Sequence, residues 1–160
     1  MKKCMARAAL LVAVAFSCVA GTSWGQQVEV SRAWVRAAVP GQNATGAFME
    51  ITAATDASLV GAASPVARSV EIHEMAIEGN VMKMRAVAKV DLPAGKTVEF
   101  KPGAYHIMLL GLTKPLAAGE SVPIELTLRA KDQKTSKLKL NAEVRQLGAA
   151  PMMEGHEHRH

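Results

Sequence analysis

The 160-residue sequence predicts an all-β fold, an antiparallel sandwich. Three observations carry that reading. Short runs rich in Val, Ile, Thr and aromatic residues recur along the chain, with Gly, Pro and Asn breaks between them. No segment keeps a 3.6-residue apolar period over three turns, so amphipathic helices are not expected. Seven or eight short strands at this spacing suit two packed antiparallel sheets. The roughly 122 residues from 26 to 147 are enough to bury a core.

The strand candidates follow in order. "VEVSRAWVRAAV" (28–39) ends at the break "PGQNATG", and "GAFMEITAA" (46–54) follows it. "SVEIHEMAI" (69–77) and "VMKMRAVAKV" (81–90) flank "EGN", whose Gly79-Asn80 pair suits a two-residue hairpin turn because both residues tolerate positive φ. After "LPAGK" comes "TVEFKPG" (97–103), and after the "KPGA" turn comes "YHIMLLGL" (105–112). "KPLAAGE" separates these from "SVPIELTLRA" (121–130) and "KLKLNAEVRQL" (137–147), with "KDQKTSKLK" (131–139) read as a solvated hairpin. Trp34 is expected in the core, and no internal repeat is visible.

The two ends read differently. "MKK" and the apolar run "ALLVAVAFSCVA" (9–20) have the pattern of a secretory signal peptide. The run is too short to span a bilayer, so no stable membrane insertion is expected. Cleavage is placed after Gly25, with Ala20 as the alternative. Cys18 raises a lipoprotein signal, but "AFS" puts Ala where such signals want Leu. The chain thus divides into a leader (1–25), one domain (26–147) and a Met/His-rich tail (148–160), and the expected location is the periplasm. Of 19 basic residues the leader holds Lys2, Lys3 and Arg7, so 16 remain against 14 acidic ones, a net charge of +2. The basic residues are scattered without interleaved aromatics, which disfavours nucleic acid as a partner. Both cysteines, Cys4 and Cys18, fall in the leader, so the mature domain has no thiol and no disulfide.

The domain's His and Met residues are clustered. In the hairpin around Gly79-Asn80, Glu78 pairs with Val81, Ile77 with Met82 and Met75 with Met84. Side chains two apart share a face. His73, Met75, Met82 and Met84 therefore lie on one side, while Glu74 faces Arg85 on the other. His106 and Met108 also share a face, with Ile107 and Leu109 pointing inward. Imidazole nitrogen with thioether sulfur is a soft, neutral donor set that suits Cu(I). Zinc spacings are absent, and a blue-copper site needs a Cys thiolate. Ordered along the chain, the pattern is His-x10-Met-x21-His-x-Met. With 5 His and 9 Met in 160 residues, chance gives it roughly three times in a million per register.

With this motif the sequence resembles the PCuAC family of periplasmic copper chaperones. "AWVRA", "LVGAASPVA", "EIHEM", "VMKM", "KPGAYHIMLLGL" and "PLAAGESVPIELTL" carry the resemblance, from about Val28 to Val144. It implies a cupredoxin-like Greek-key sandwich and a Cu(I) site at His73, Met84, His106 and Met108. It also implies delivery to the copper centre of a respiratory cytochrome c oxidase, with a thioredoxin-like assembly protein as a second partner. Some members have Met directly after the first His, where this chain has Glu74. Met75 stands as an accessory ligand or a lining residue. Some members also have a Met/His-rich extension, as here in Met152, Met153, His156, His158 and His160. Imidazoles at that density suit Cu(II) as well as Cu(I).

The expected role is a binding module that passes copper on by ligand exchange, not an enzyme. Periplasmic copper storage or detoxification is the alternative, and it requires several ions per chain. A copper oxidoreductase is the weaker one, because there is no further His or Tyr cluster beyond Tyr105. There is no acid/base dyad, nucleophile triad, P-loop or dinucleotide motif.

Overall fold

A computed structural model describes residues 28–79 and 81–146. Ten strands are found there: β1 (Val28–Arg36), β2 (Ala44–Ala53), β3 (Ala57–Ala63), β4 (Ala67–Glu78), β5 (Val81–Ala86), β6 (Val90–Leu92), β7 (Thr97–Phe100), β8 (His106–Leu112), β9 (Ser121–Ala130) and β10 (Thr135–Arg145). The described residues hold no helix. The expected all-β, cupredoxin-like sandwich is the observed fold.

The strands pair in the order β5-β4-β8-β2-β1-β10-β9-β3-β6, with β7 added beside β2. Strand β2 serves two neighbours in succession. Its first part, Ala44–Ala47, pairs β8. Its second part, Met49–Thr52, pairs β7. A bulge in β1 between Ser31 and Trp34, with Arg32 at φ 51°, bends the strand as bulges do. Ile72, Ile107 and Leu109 thereby meet Leu59, Ile124 and Leu126 in one buried cluster. Burying such a side chain fully is worth about 1.5–3 kcal/mol each.

Three details differ from the sequence reading. Strand β3 lies in "ASLVGAA", which that reading left without a strand. Its Ala and Gly content gives little β preference. What holds it is ladder pairing to β9 across a bulge at Leu59/Gly61, together with the full burial of Leu59. The run 81–90 is two strands, an exposed β5 and a β6 that buries Val90 and Leu92. The sandwich also has one parallel pair, β1 with β10, with Trp34 opposite Glu143 and Arg36 opposite Arg145.

Candidate metal centre

The hairpin register is the one the sequence predicts. Met75 faces Met84, Ile77 faces Met82, and Glu78 faces Val81. Gly79 has φ +57°, the left-handed conformation such a turn requires. Asn80 lies outside the described residues. On the far side of the hairpin, Arg85 Nε donates to Glu74 Oε1 over 2.6 Å. This bond and the charge of Glu74 hold the Arg85 pKa above its ordinary value.

Strand β8 pairs next to β4 and places His106 directly opposite His73. Their ring centroids are 5.8 Å apart, edge to face. Met108 lies two residues on along the same face, opposite Glu71 on one side and Gly46 on the other. Alternation sends Ile107 and Leu109 inward, both fully buried. Met84, Met75, His106 and Met108 line one cavity, together with Arg36 and Phe48. A Cβ at Gly46 would stand 2.9 Å from the Phe48 ring, so glycine leaves room for that ring beside His106.

The ring nitrogens are assigned by their partners. His106 Nδ1 lies 3.0 Å from the Ala104 carbonyl oxygen. A carbonyl only accepts, so Nδ1 carries the proton and Nε2 is bare. That bare nitrogen is 3.0 Å from Met84 Sδ. The same carbonyl accepts the Met75 backbone N–H at 3.3 Å, which ties β4 to the turn before β8. His73 Nε2 is 2.8 Å from Glu71 Oε2. His73 Nδ1 is the one buried side-chain nitrogen or oxygen without a hydrogen-bond partner among the described residues. Such an orphan costs about 1–3 kcal/mol unless something not yet bound satisfies it.

Burial is uneven across the set. His106 is 6% exposed and the His73 side chain 13%, whereas Met84 is 51% exposed. The buried His106 imidazole and the open Met84 thioether line the cavity, whereas His73 lies beside His106 and is not among its lining residues. Met82 is also exposed, so it is a rim residue. Among the described residues, no group of three His, Cys, Asp or Glu side chains could hold a metal ion. The donors present, two imidazoles and thioethers, fit a soft monovalent cation.

One assignment changes. Trp34, expected in the core, is half-buried on the outer face, where it stacks on Phe48 with centroids 4.5 Å apart. Its partner Phe48 shares the face of Gly46, opposite in sense to Ala47 and Met49. Sequence reasoning passed over Glu71 and the Ala104 carbonyl. The Glu71-x-His73 spacing put both side chains on one face and was the available signal. Met152, Met153, His156, His158 and His160 lie outside the described residues.

A β-sandwich with a face of buried imidazole and open thioether defines a soft-metal binding module. The family model described as "Putative lipoprotein LpqE-like" matches residues 28–142, and the chain belongs to the LpqE-like family. "Putative lipoprotein Lxx21020" of Leifsonia xyli subsp. xyli (strain CTCB07) is 40% identical over 110 residues, 68% of this chain. The chain spans about 65% of that relative's length. Among solved structures, apo-DR1885 from Deinococcus radiodurans is 31% identical with a TM-score of 0.57, covering 92% of this chain and 97% of that one. CuI-DR1885 from the same organism is 32% identical with a TM-score of 0.50, covering 79% and 85%. The apo PCuAC domain from PmoF1 is similar in fold, with a TM-score of 0.62 at 22% identity over 76% of this chain and 95% of that domain.

Proposed function

We propose that the chain is an exported copper chaperone that holds Cu(I) through His73, Met84, His106 and Met108, with Met75 as an accessory thioether. The observation that carries this is the pair of bare imidazole nitrogens on one face. His106 Nε2 faces Met84 Sδ, and buried His73 Nδ1 has no partner. The existence of a Cu(I) form of DR1885, similar over most of this chain, supports the metal and its oxidation state. The exposed thioether wall supports release by ligand exchange, since an incoming donor can displace Met84 first. The receiver in this reading is the copper-centre subunit of cytochrome c oxidase, with a thioredoxin-like assembly protein as a second partner. The protein is a carrier, not an enzyme.

Residues 1–25 act as the leader, 26–147 as the carrier domain and 148–160 as a tail that takes Cu(II) through Met152, Met153, His156, His158 and His160. Strand β10 ends at Arg145 beside Arg36, and Arg36 lines the metal cavity, which supports a tail that works close to the site. The lipoprotein descriptions of the family and of the Leifsonia protein favour export to the periplasm. They also support a second reading of the N-terminus, an acylated Cys18 in place of cleavage after Gly25. The intact mass of the mature chain separates the two.

Separate Cu(I) and Cu(II) titrations, followed by transfer to an apo-oxidase copper domain, test the function. One Cu(I) per sandwich and net transfer are expected. Several ions per chain with no transfer would favour storage or detoxification. Turnover with oxygen, or stable Cu(II) on the sandwich, would favour an oxidoreductase.

A further inference from the structure

The two imidazoles of the site are held differently. His106 gives its Nδ1 proton to a backbone carbonyl, that of Ala104, at 3.0 Å. No side-chain substitution removes that acceptor. His73 has no such backbone tie. Its Nε2 meets a side chain, Glu71 Oε2, at 2.8 Å. A carboxylate accepts, so Nε2 is the protonated nitrogen and Nδ1 is bare. The opposite tautomer would bury an N–H on Nδ1 with nothing to receive it, and would set a lone pair against the carboxylate. The Glu71 side chain is itself 43% exposed, so it reaches His73 from the solvent side while the free nitrogen stays buried. Glu71 also stands directly across the ladder from Met108.

We infer that Glu71 is a positioning residue for His73: its carboxylate fixes the imidazole as the Nε2–H tautomer, so that His73 offers Nδ1 to the metal while His106 offers Nε2. This rests on the proposed Cu(I) site and deepens it. Glu71 does not touch the ion. It sets which nitrogen is available, stops the ring from turning, and makes the imidazole a stronger donor through the charge it places on the far nitrogen. Carboxylates that hold a ligating histidine in this way are a general device in metal sites. Here one serves only one of the two imidazoles. The His73 donor is therefore the one that a single side-chain change can loosen.

The test has a copper-free arm and a copper arm, both on the full mature chain. Long-range proton–nitrogen-15 spectra of the apoprotein report which ring nitrogen is bare. The expected wild-type result is a bare Nδ1 on His73 and a bare Nε2 on His106. Glu71→Leu should mix the His73 tautomers, leave His106 unchanged and weaken Cu(I) binding about 10–100-fold in chelator competition. Glu71→Gln retains a carbonyl acceptor and should restore the Nε2–H tautomer and most of the affinity. The inference is overturned if wild-type His73 is protonated on Nδ1, or if Glu71→Leu keeps both the wild-type tautomer and the wild-type affinity. If Glu71→Leu does not fold, the wild-type spectrum and Glu71→Gln still decide. A wild-type chain that binds no Cu(I) defeats the chaperone reading instead, and the apoprotein spectra then judge Glu71 alone.

Discussion

Replacing Met84 by Ala separates a metal donor from a packing residue. The Met84 side chain is 51% exposed, on a strand whose six residues are all exposed. Full burial of a Met side chain is worth about 1.5–3 kcal/mol, so half of that, roughly 0.7–1.5 kcal/mol, is at stake in stability. For a domain of this size the change corresponds to a Tm drop of about 3–6 °C. Binding should suffer more. Losing only an outer partner of a metal ligand costs about 10–100-fold, and Met84 Sδ stands 3.0 Å from the free nitrogen of His106. Met84→Ala should therefore lose at least about tenfold in Cu(I) affinity, or about 1.4 kcal/mol, while remaining folded. Met108→Ala should behave similarly. Met49 is the control, 2% exposed in the core. Met49→Ala should cost about 2–5 kcal/mol of stability with no direct loss of a donor. Thermal melts and chelator competition on the same samples read both quantities. If either Met84→Ala or Met108→Ala keeps wild-type Cu(I) affinity, the ligand set is wrong.

Acidification should weaken Cu(I) binding, because a protonated imidazole cannot ligate while thioethers have no proton to lose. A flat profile would argue against His73 and His106 as donors. Deleting residues 149–160 should abolish Cu(II) binding and spare the Cu(I) site; equal Cu(II) affinity in the truncated chain would leave the tail without that role. Tyr105 is the single tyrosine, and burial, then the nearby Glu74 carboxylate, push its phenol above the ordinary 10.0. Its absorbance titration should have a midpoint above that value. The fold favours the neutral phenol, so this contribution to stability is intact below the ordinary Tyr range and is lost as pH rises through the raised midpoint. A midpoint at or below the ordinary value would contradict the packing around Tyr105.

The strands that carry the site were legible because alternation and turn chemistry agree there. Gly79-Asn80 fixes the hairpin register, and the register fixes which residues share the face of His73. Ile107 and Leu109 on one side of β8 leave His106 and Met108 no choice but the other. The adjacency of His73 and His106 is a different matter. It depends on β4 pairing β8, two strands far apart in sequence, and no local signal specifies that. Strand β3 was hidden because its stability comes from the neighbours of Leu59 and not from its own residues. Trp34 was misplaced because size suggested the core, whereas the bulge at Arg32 sets the alternation that turns Trp34 outward and Val35 inward. The oxygen partners of the two imidazoles lie within two residues of each, yet only the folded backbone shows that the Ala104 carbonyl points at one ring.

Strand β1 is nine residues long. It begins at Val28, opposite Ala53, and ends at Arg36, which lines the metal cavity. Eight residue steps at about 3.3 Å give a stand-off of at most about 26 Å between the two. The chain thus enters the described fold at the far end of β1 from the cavity of His106 and Met84. The position of that cavity relative to the point of entry is set by the direction of a single strand.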